Sequence, residues 1–328
     1  MKTIQYERIG DPADVLELHE RADRPLAPGE ARVAVLAAPI HPSNLLQIAG
    51  QYGEAATLPA TPGSEGIGRV LEVAADVQGL ASGQRVLLTT GSTWCDQLIG
   101  PAAAFVPVPD AGDAEQLSMT VVNPLTALLL LDSFVDLEGG EWIAQNAANS
   151  AVGSSVVQLA RARGLKTVNV VRRPELVPEL EALGADAVIV DGPDLAARIR
   201  EATGEAPPRL AIDAIGGSAF STLVEAVADG GTIVSYGVMS GEPPVLDPMA
   251  VIFRDVSVRG FWLSRWFRTA PDEARGAAFA EVVSRIVAGE LVTRVDARFA
   301  LEDIAQAVRR AAEPGRSGKV LLVPGAQS

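Results

Sequence analysis

The stretch EWIAQNAANSAVGSSVVQLARARG, residues 141–164, decides the fold. It opens on a short apolar run suited to a buried strand. A turn of small residues, NAANSAVG, follows, and then an amphipathic stretch that ends at Gly164. Strand, tight turn and helix in that order make the first half of a βαβ unit. The turn holds a single glycine, Gly153, where dinucleotide-binding turns of this layout usually carry three. Gly153 falls where the helix must approach the strand closely. Asn149, Ser150, Ala151 and Val152 supply the small or hydrogen-bonding positions before it. Such a turn can still present a helix N-terminus to a pyrophosphate. The alternative is a plain strand-to-helix turn with no ligand.

The following segments repeat the alternation. KTVNVV, AVIV, LAIDAI and GTIVSYG are expected strands, with VSVRGFW as a sixth. ELVPELEALGA, DLAARIREATG and SAFSTLVEAVADGG carry helical patterning between them. Apolar strands alternating with amphipathic helices build a parallel, doubly wound α/β sheet, here over residues 118–261. At the end of the second strand stand Arg172 and Arg173. NAD-binding domains place there an acid that accepts the ribose 2′-hydroxyl. Two guanidiniums suit a 2′-phosphate instead, which points to NADPH. A solvated surface pair is the alternative.

Residues 1–117 read as short strands and turns rich in proline and glycine, including ARVAVLAAPI, GSEGIGRVLEVAADV and GQRVLLTTG. This is a mainly β, partly barrel-like domain. Beyond residue 262 come two helices, DEARGAAFAEVVSRIVAGE and LEDIAQAVRRAAE, and a last strand, GKVLLVP. Residues 262–328 are expected to pack back on the first domain, so that the 118–261 domain is inserted in it.

Composition narrows the function classes. With 48% hydrophobic and 21% charged residues over 328 positions, two cores of ordinary size are expected. The net charge of −14 disfavours nucleic acid and anionic membranes as partners. VVNPLTALLLLDSFVDL is too interrupted for a membrane span and reads as a buried helix. The N-terminus has no signal-peptide pattern, and a cytoplasmic protein is expected. One cysteine, Cys95, and two histidines, His19 and His41, can hardly supply a zinc site, so a metal-free mechanism is expected.

The segments HPSNLLQIAGQYG, LPATPGSEGIGRV, VVNPLTALLLL, QNAANSAVG, YGVMSG, FRDVSVRGFWLSRW and SGKVLLV run nearly the whole length in order. On them the chain resembles zinc-free members of the medium-chain dehydrogenase/reductase superfamily, and most closely the mitochondrial-type trans-2-enoyl-thioester reductases. QNAANSAVG and RGFWLSRW are rather specific to that branch. The resemblance implies a GroES-like catalytic domain carrying an inserted Rossmann domain. It departs at three places. Ser64 stands in Gly63-Ser64-Glu65 where zinc relatives carry a ligand histidine, Ala151 replaces a frequent glycine, and His41 replaces the usual asparagine.

What the resemblance implies is hydride transfer from NADPH to the β-carbon of a 2-enoyl thioester, bound to coenzyme A or a carrier protein. The catalytic tyrosine maps onto Tyr52. A neutral phenol, with a reference pKa of about 10, can hold the enolate that develops. From the residues alone, an aromatic anchor in GQYGE is an equal reading. Asn123 would bond near the nicotinamide ribose or Tyr52, or simply cap the helix at Pro124. Tyr236, Gly237, Val238 and Met239 would lie beside the nicotinamide. Phe261, Trp262 and Leu263 would line its pocket, and Lys319 would be a second cofactor contact. Trp262, Trp266 and Arg265, with Arg268, would face the acyl or phosphate part of the substrate. Core strand, packing and surface roles are their alternatives. A quinone or enone oxidoreductase of the same fold is the second functional reading, and a non-catalytic NADPH-binding sensor is the third. A homodimer pairing VSVRGFW across a sheet edge is expected.

Overall fold

The computed structural model describes residues 1–204 and 206–325; residues 326–328, the end of the piece expected to pack back on the first domain, lie outside them. The chain divides into two units, Met1–Val122 with the segment from Phe279 onward, and Asn123–Ala278.

In the first unit β1 (Lys2–Gln5) and β2 (Glu17–Glu20) pair as an antiparallel ribbon. β3 (Glu30–Ile40), β4 (Gly66–Val73), β5 (Arg85–Leu88), β6 (Gln97–Pro101) and β7 (Phe105–Val108) follow. β3 is the hub: it pairs antiparallel with both β4 and β6, and bulges interrupt its register with β4 at Arg32/Val33 and Val35/Ala37. Its β-branched and small side chains are buried almost without interruption, as suits a strand covered on both faces. The core around it includes Ile4, Val33, Ile40, Leu88, Trp94 and Phe105, all 2% exposed or less. Burying side chains of this size contributes about 1.5–3 kcal/mol each relative to exposure.

The region is not strands and turns alone. Residues 42–48 form a helix, Pro42–Ile48, with His41 at its N-cap. Proline at the first helical position fits a start there, because its missing N–H would have no partner in any case.

The second unit begins with the helix Asn123–Asp132, in which every residue from Asn123 to Leu131 is buried. It packs on the helix Ala151–Ala162. The parallel strands are β8 (Trp142–Gln145), β9 (Lys166–Val171), β10 (Ala187–Val190), β11 (Leu210–Asp213), β12 (Thr232–Ser235) and β13 (Ser257–Gly260). Their order is β10-β9-β8-β11-β12-β13, all parallel. That is the doubly wound order, with its switch point between β8 and β11. Two helices were not foreseen: Pro248–Arg254, and Leu263–Thr269, which covers most of the FWLSRWFR segment. The unit thus runs past residue 261.

β14 (Val295–Phe299) and β15 (Lys319–Leu322) return to the first unit. They pair parallel with each other, and β15 pairs antiparallel with β3, Val320 opposite Ile40. One rung further along, Lys319 meets the position of His41.

Candidate active site

At the carboxyl ends of the second unit's strands, polar groups gather around the switch point. Asn146, just past β8, donates to Asp213 Oδ1 at the end of β11 (2.6 Å), and its own Oδ1 accepts the Ala214 N–H (2.8 Å). Asp213 also accepts from the N–H groups of Ile215 and Gly216, both at 3.1 Å, and from Ser235 Oγ at 3.0 Å. A fully buried carboxylate is tolerable because so many donors replace its water.

The turn between β8 and the Ala151–Ala162 helix is tight. Ala147 holds φ at +47°, a left-handed conformation uncommon for a residue with a Cβ. Ser150 is the N-cap, its Oγ accepting the Gly153 N–H at 3.0 Å. The cap leaves the N–H groups of Ala151 and Val152, in the helix's first turn, directed away from intrahelical partners. A Cβ on Gly153 would lie 2.5 Å from the Ala148 carbonyl oxygen. The glycine is therefore required by the turn itself, rather than by the strand against which it was expected to pack. Tyr236, just past β12, is hydrogen-bonded to Ser150, and burial pushes its phenol up to about 12. It is protonated at neutral pH, and the stability this lends is complete below about 10 and lost as pH rises through about 12. Arg172 and Arg173 follow β9 directly; Arg172 is exposed and Arg173 half-buried, 3.5 Å from Glu175.

The other expected residues of this unit divide. Asn149 is exposed at the turn and Val152 is buried. Gly237 is half-buried, while Val238 and Met239 are exposed at 57% and 66%. Phe261 packs edge-on against Phe134, with ring centroids 6.2 Å apart. Trp262 lies under the Arg268 guanidinium at 4.6 Å, and Trp266 meets Phe267 at 5.2 Å. Leu263 is half-buried and Arg265 exposed. Asn123 is the first residue of its helix, 7% exposed.

The first unit holds a buried charged network that the sequence did not announce. His41 Nε2 lies 2.7 Å from Glu65 Oε1, and Lys319 Nζ lies 2.9 Å from His41 Nδ1. An ammonium only donates, so Nδ1 accepts and Nε2 carries the proton given to Glu65. Burial and the neighbouring Lys319 and Arg316 charges hold the His41 pKa well below its ordinary value, so the ring stays neutral between a cation and an anion. Glu65 Oε2 accepts two backbone N–H groups, from Val121 at 2.5 Å and Val122 at 2.9 Å. Burial pushes the Glu65 carboxyl up and the Lys319 ammonium down, while their mutual attraction opposes both. Lys319, expected at the cofactor, thus has its ammonium inside this network. The available signal was the pair of polar residues in apolar settings, His41 after β3 and Glu65 before β4. Tyr52, half-buried, follows the Pro42–Ile48 helix by four residues.

Zinc does not fit these donors. Both ring nitrogens of His41 are engaged, and Ser64, where zinc relatives carry a histidine, accepts from Asn44 Nδ2 at 2.6 Å. Among the described residues no group of three or more His, Cys, Asp or Glu side chains could hold a metal.

Residues 27–110 match the family model of the alcohol dehydrogenase GroES-like domain, and residues 151–280 that of the zinc-binding dehydrogenases. The human mitochondrial enoyl-[acyl-carrier-protein] reductase is 35% identical over 98% of this chain and 88% of its own length. A candidate NADPH:quinone reductase from Bacillus thuringiensis is 30% identical and superposes with a TM-score of 0.91 over 98% of both chains. Etr1p, a mitochondrial 2-enoyl thioester reductase from Candida tropicalis, is 25% identical in its complex with NADP and crotonyl-CoA. That complex superposes with a TM-score of 0.88 over 98% of this chain and 99% of its own.

Glu65→Gln should leave the Lys319 ammonium buried without its balancing carboxylate, at a cost of about 3–5 kcal/mol. Adding Lys319→Met should return roughly 1–3 kcal/mol of that loss in urea unfolding. Strictly additive losses would show that the two charges do not compensate each other.

Proposed function

The chain belongs to the medium-chain dehydrogenase/reductase superfamily, and we propose that it reduces the activated C=C bond of 2-enoyl thioesters with NADPH. The observation that carries the proposal is the pairing of the capped turn at Ser150–Gly153 with Arg172 and Arg173 at the end of the adjacent strand. The turn offers N–H groups to a pyrophosphate, and the arginines offer charge to a 2′-phosphate. The relatedness to enoyl reductases over 98% of the chain supports the choice of substrate.

NADPH, when bound, supplies the hydride that adds to the β-carbon. Tyr52 donates a hydrogen bond to the thioester carbonyl oxygen, where negative charge develops as the C=C electrons shift to an enolate, and then gives its proton to the α-carbon, being reprotonated from water. Asn123 is proposed as its catalytic companion. Tyr236, protonated and bonded to Ser150, holds the shape of the turn. Gly237, Val238, Met239, Phe261, Trp262 and Leu263 are proposed to flank the nicotinamide. Arg265 and Trp266 are proposed to meet the acyl carrier's end of the substrate.

The likeness to the candidate quinone reductase favours one further reading, a quinone or enone as acceptor. An NADPH-oxidation panel of crotonyl-CoA, quinones and enones separates the two. The thioester is expected to lead, and Tyr52→Phe to cost about 10²-fold or more in kcat. A quinone leading the panel, or an unchanged Tyr52→Phe enzyme, would overturn the thioester mechanism.

Replacing both Arg172 and Arg173 by alanine removes charge-assisted contacts worth about 1.5–3 kcal/mol each. KM for NADPH should then rise at least tenfold while KM for NADH stays put. Equal changes for the two cofactors would remove the arginines from 2′-phosphate recognition.

A homodimer is also proposed. Among the described residues β13 pairs only with β12, and its four residues are exposed. Ile252 and Phe253 of the preceding helix are 67% and 70% exposed. A second copy of the same edge would cover both features symmetrically. Light scattering at micromolar concentration should give twice the chain mass, and Phe253→Glu should reduce it to one; a monomeric native chain would dismiss the dimer.

A further inference from the structure

We infer that Glu65 is a positioning residue that ties the Tyr52 segment and the turn before Asn123 to one buried carboxylate. The inference rests on the proposed catalytic role of Tyr52. No step of the proposed chemistry uses Glu65, His41 or Lys319, yet all three are 5% exposed or less. Buried ion pairs rarely stabilise more than apolar residues of equal volume would. What they can do is fix geometry, and here the two carboxylate oxygens hold different parts of the chain.

Oε1 holds His41, the N-cap of the Pro42–Ile48 helix. From that cap the backbone is bonded without a break toward Tyr52. Ala49 N–H reaches Leu45 O at 3.0 Å, Gly50 N–H reaches Gln47 O at 3.1 Å and Gln51 N–H reaches Leu46 O at 2.8 Å. Gly50 allows the last turn, with φ at +72° and the Ile9 side chain 2.6 Å from where a Cβ would sit. Ile48, fully buried, anchors the helix in the core. Tyr52 is the next residue but one after Gly50.

Oε2 holds the N–H groups of Val121 and Val122, and Asn123 is the next residue. Glu65 itself is held in turn. Thr93 Oγ1 donates to its carbonyl at 2.7 Å, and Asn44 of the same helix is bonded to the neighbouring Ser64. Lys319, delivered by the β15–β3 pairing, closes the array on His41. A displacement of the carboxylate therefore moves both segments, and misplacement by about 1 Å can cost on the order of 10²-fold in rate.

The test is a kinetic cycle on the full chain with NADPH and crotonyl-CoA. Glu65→Gln is expected to lower kcat about tenfold or more. NADPH affinity, read by the fluorescence of the bound dihydronicotinamide, should stay within about twofold, a split that general destabilisation would not produce. In a Tyr52→Phe background, Glu65→Gln should add less than about twofold, because it acts through the hydroxyl already lost. His41→Asn, which breaks the Oε1 arm and keeps both buried charges, should show the same dependence on Tyr52, and it carries the test if Glu65→Gln does not fold. A Glu65→Gln or His41→Asn loss that multiplies unchanged onto Tyr52→Phe overturns the inference alone, as does full activity in both variants. A Tyr52→Phe enzyme with native kcat overturns the catalytic reading and this inference together.

Discussion

A carboxylate taken out of water must find replacements for every hydrogen bond it gives up. Glu65 finds three, an imidazole N–H and two backbone N–H groups, and a nearby ammonium supplies the balancing charge. Much of the first unit's order follows from that requirement. The donors come from the end of β3, from the stretch before the Asn123 helix and, through Lys319, from the last strand of the chain. None of these segments can shift without leaving a charge or a polar group unpaired in the core, at a cost of several kcal/mol. The apolar packing around Ile4, Trp94 and Phe105 contributes far more energy in total, but it is not directional and would tolerate small slides.

The second unit solves a different problem. Six parallel strands end on one side of the sheet, and the N–H groups of Ala214, Ile215 and Gly216 that follow β11 need partners there. Asn146 and Asp213 provide them across the switch point between β8 and β11. The same arrangement fixes the turn that follows β8. With Ala147 in a left-handed conformation and Gly153 against the Ala148 carbonyl, the helix start is carried close to the strand ends. The small number of glycines is then no defect. Ala147, at the entry to the turn, is held in the left-handed conformation glycine would adopt, and the close contact that admits no Cβ falls at Gly153.

Legibility followed the range of the interactions. Segments whose pattern is set by adjacent residues along the chain could be read directly: the short apolar runs KTVNVV and AVIV are β9 and β10. The Asn123–Asp132 helix was legible as buried because its apolar residues surround it on all sides. FWLSRWFR was read for its aromatic and basic side chains, and its helical conformation went unseen, since aromatic residues carry little helix preference of their own. The Pro42–Ile48 helix is only seven residues long, too short for periodicity to declare it.

The sequence by itself determined the alternation of the inserted domain, the glycine-poor turn and the two arginines one strand later, because each is a local pattern along a continuous segment. It did not mark His41, Glu65 and Lys319 as one group. Only the tertiary structure brought those three together, across 24 and 278 positions of chain. The reason is the β15–β3 register, which sets Val320 opposite Ile40 and so delivers Lys319 to His41. Register between distant strands is decided by the packing of whole sheets, and no stretch of sequence contains it.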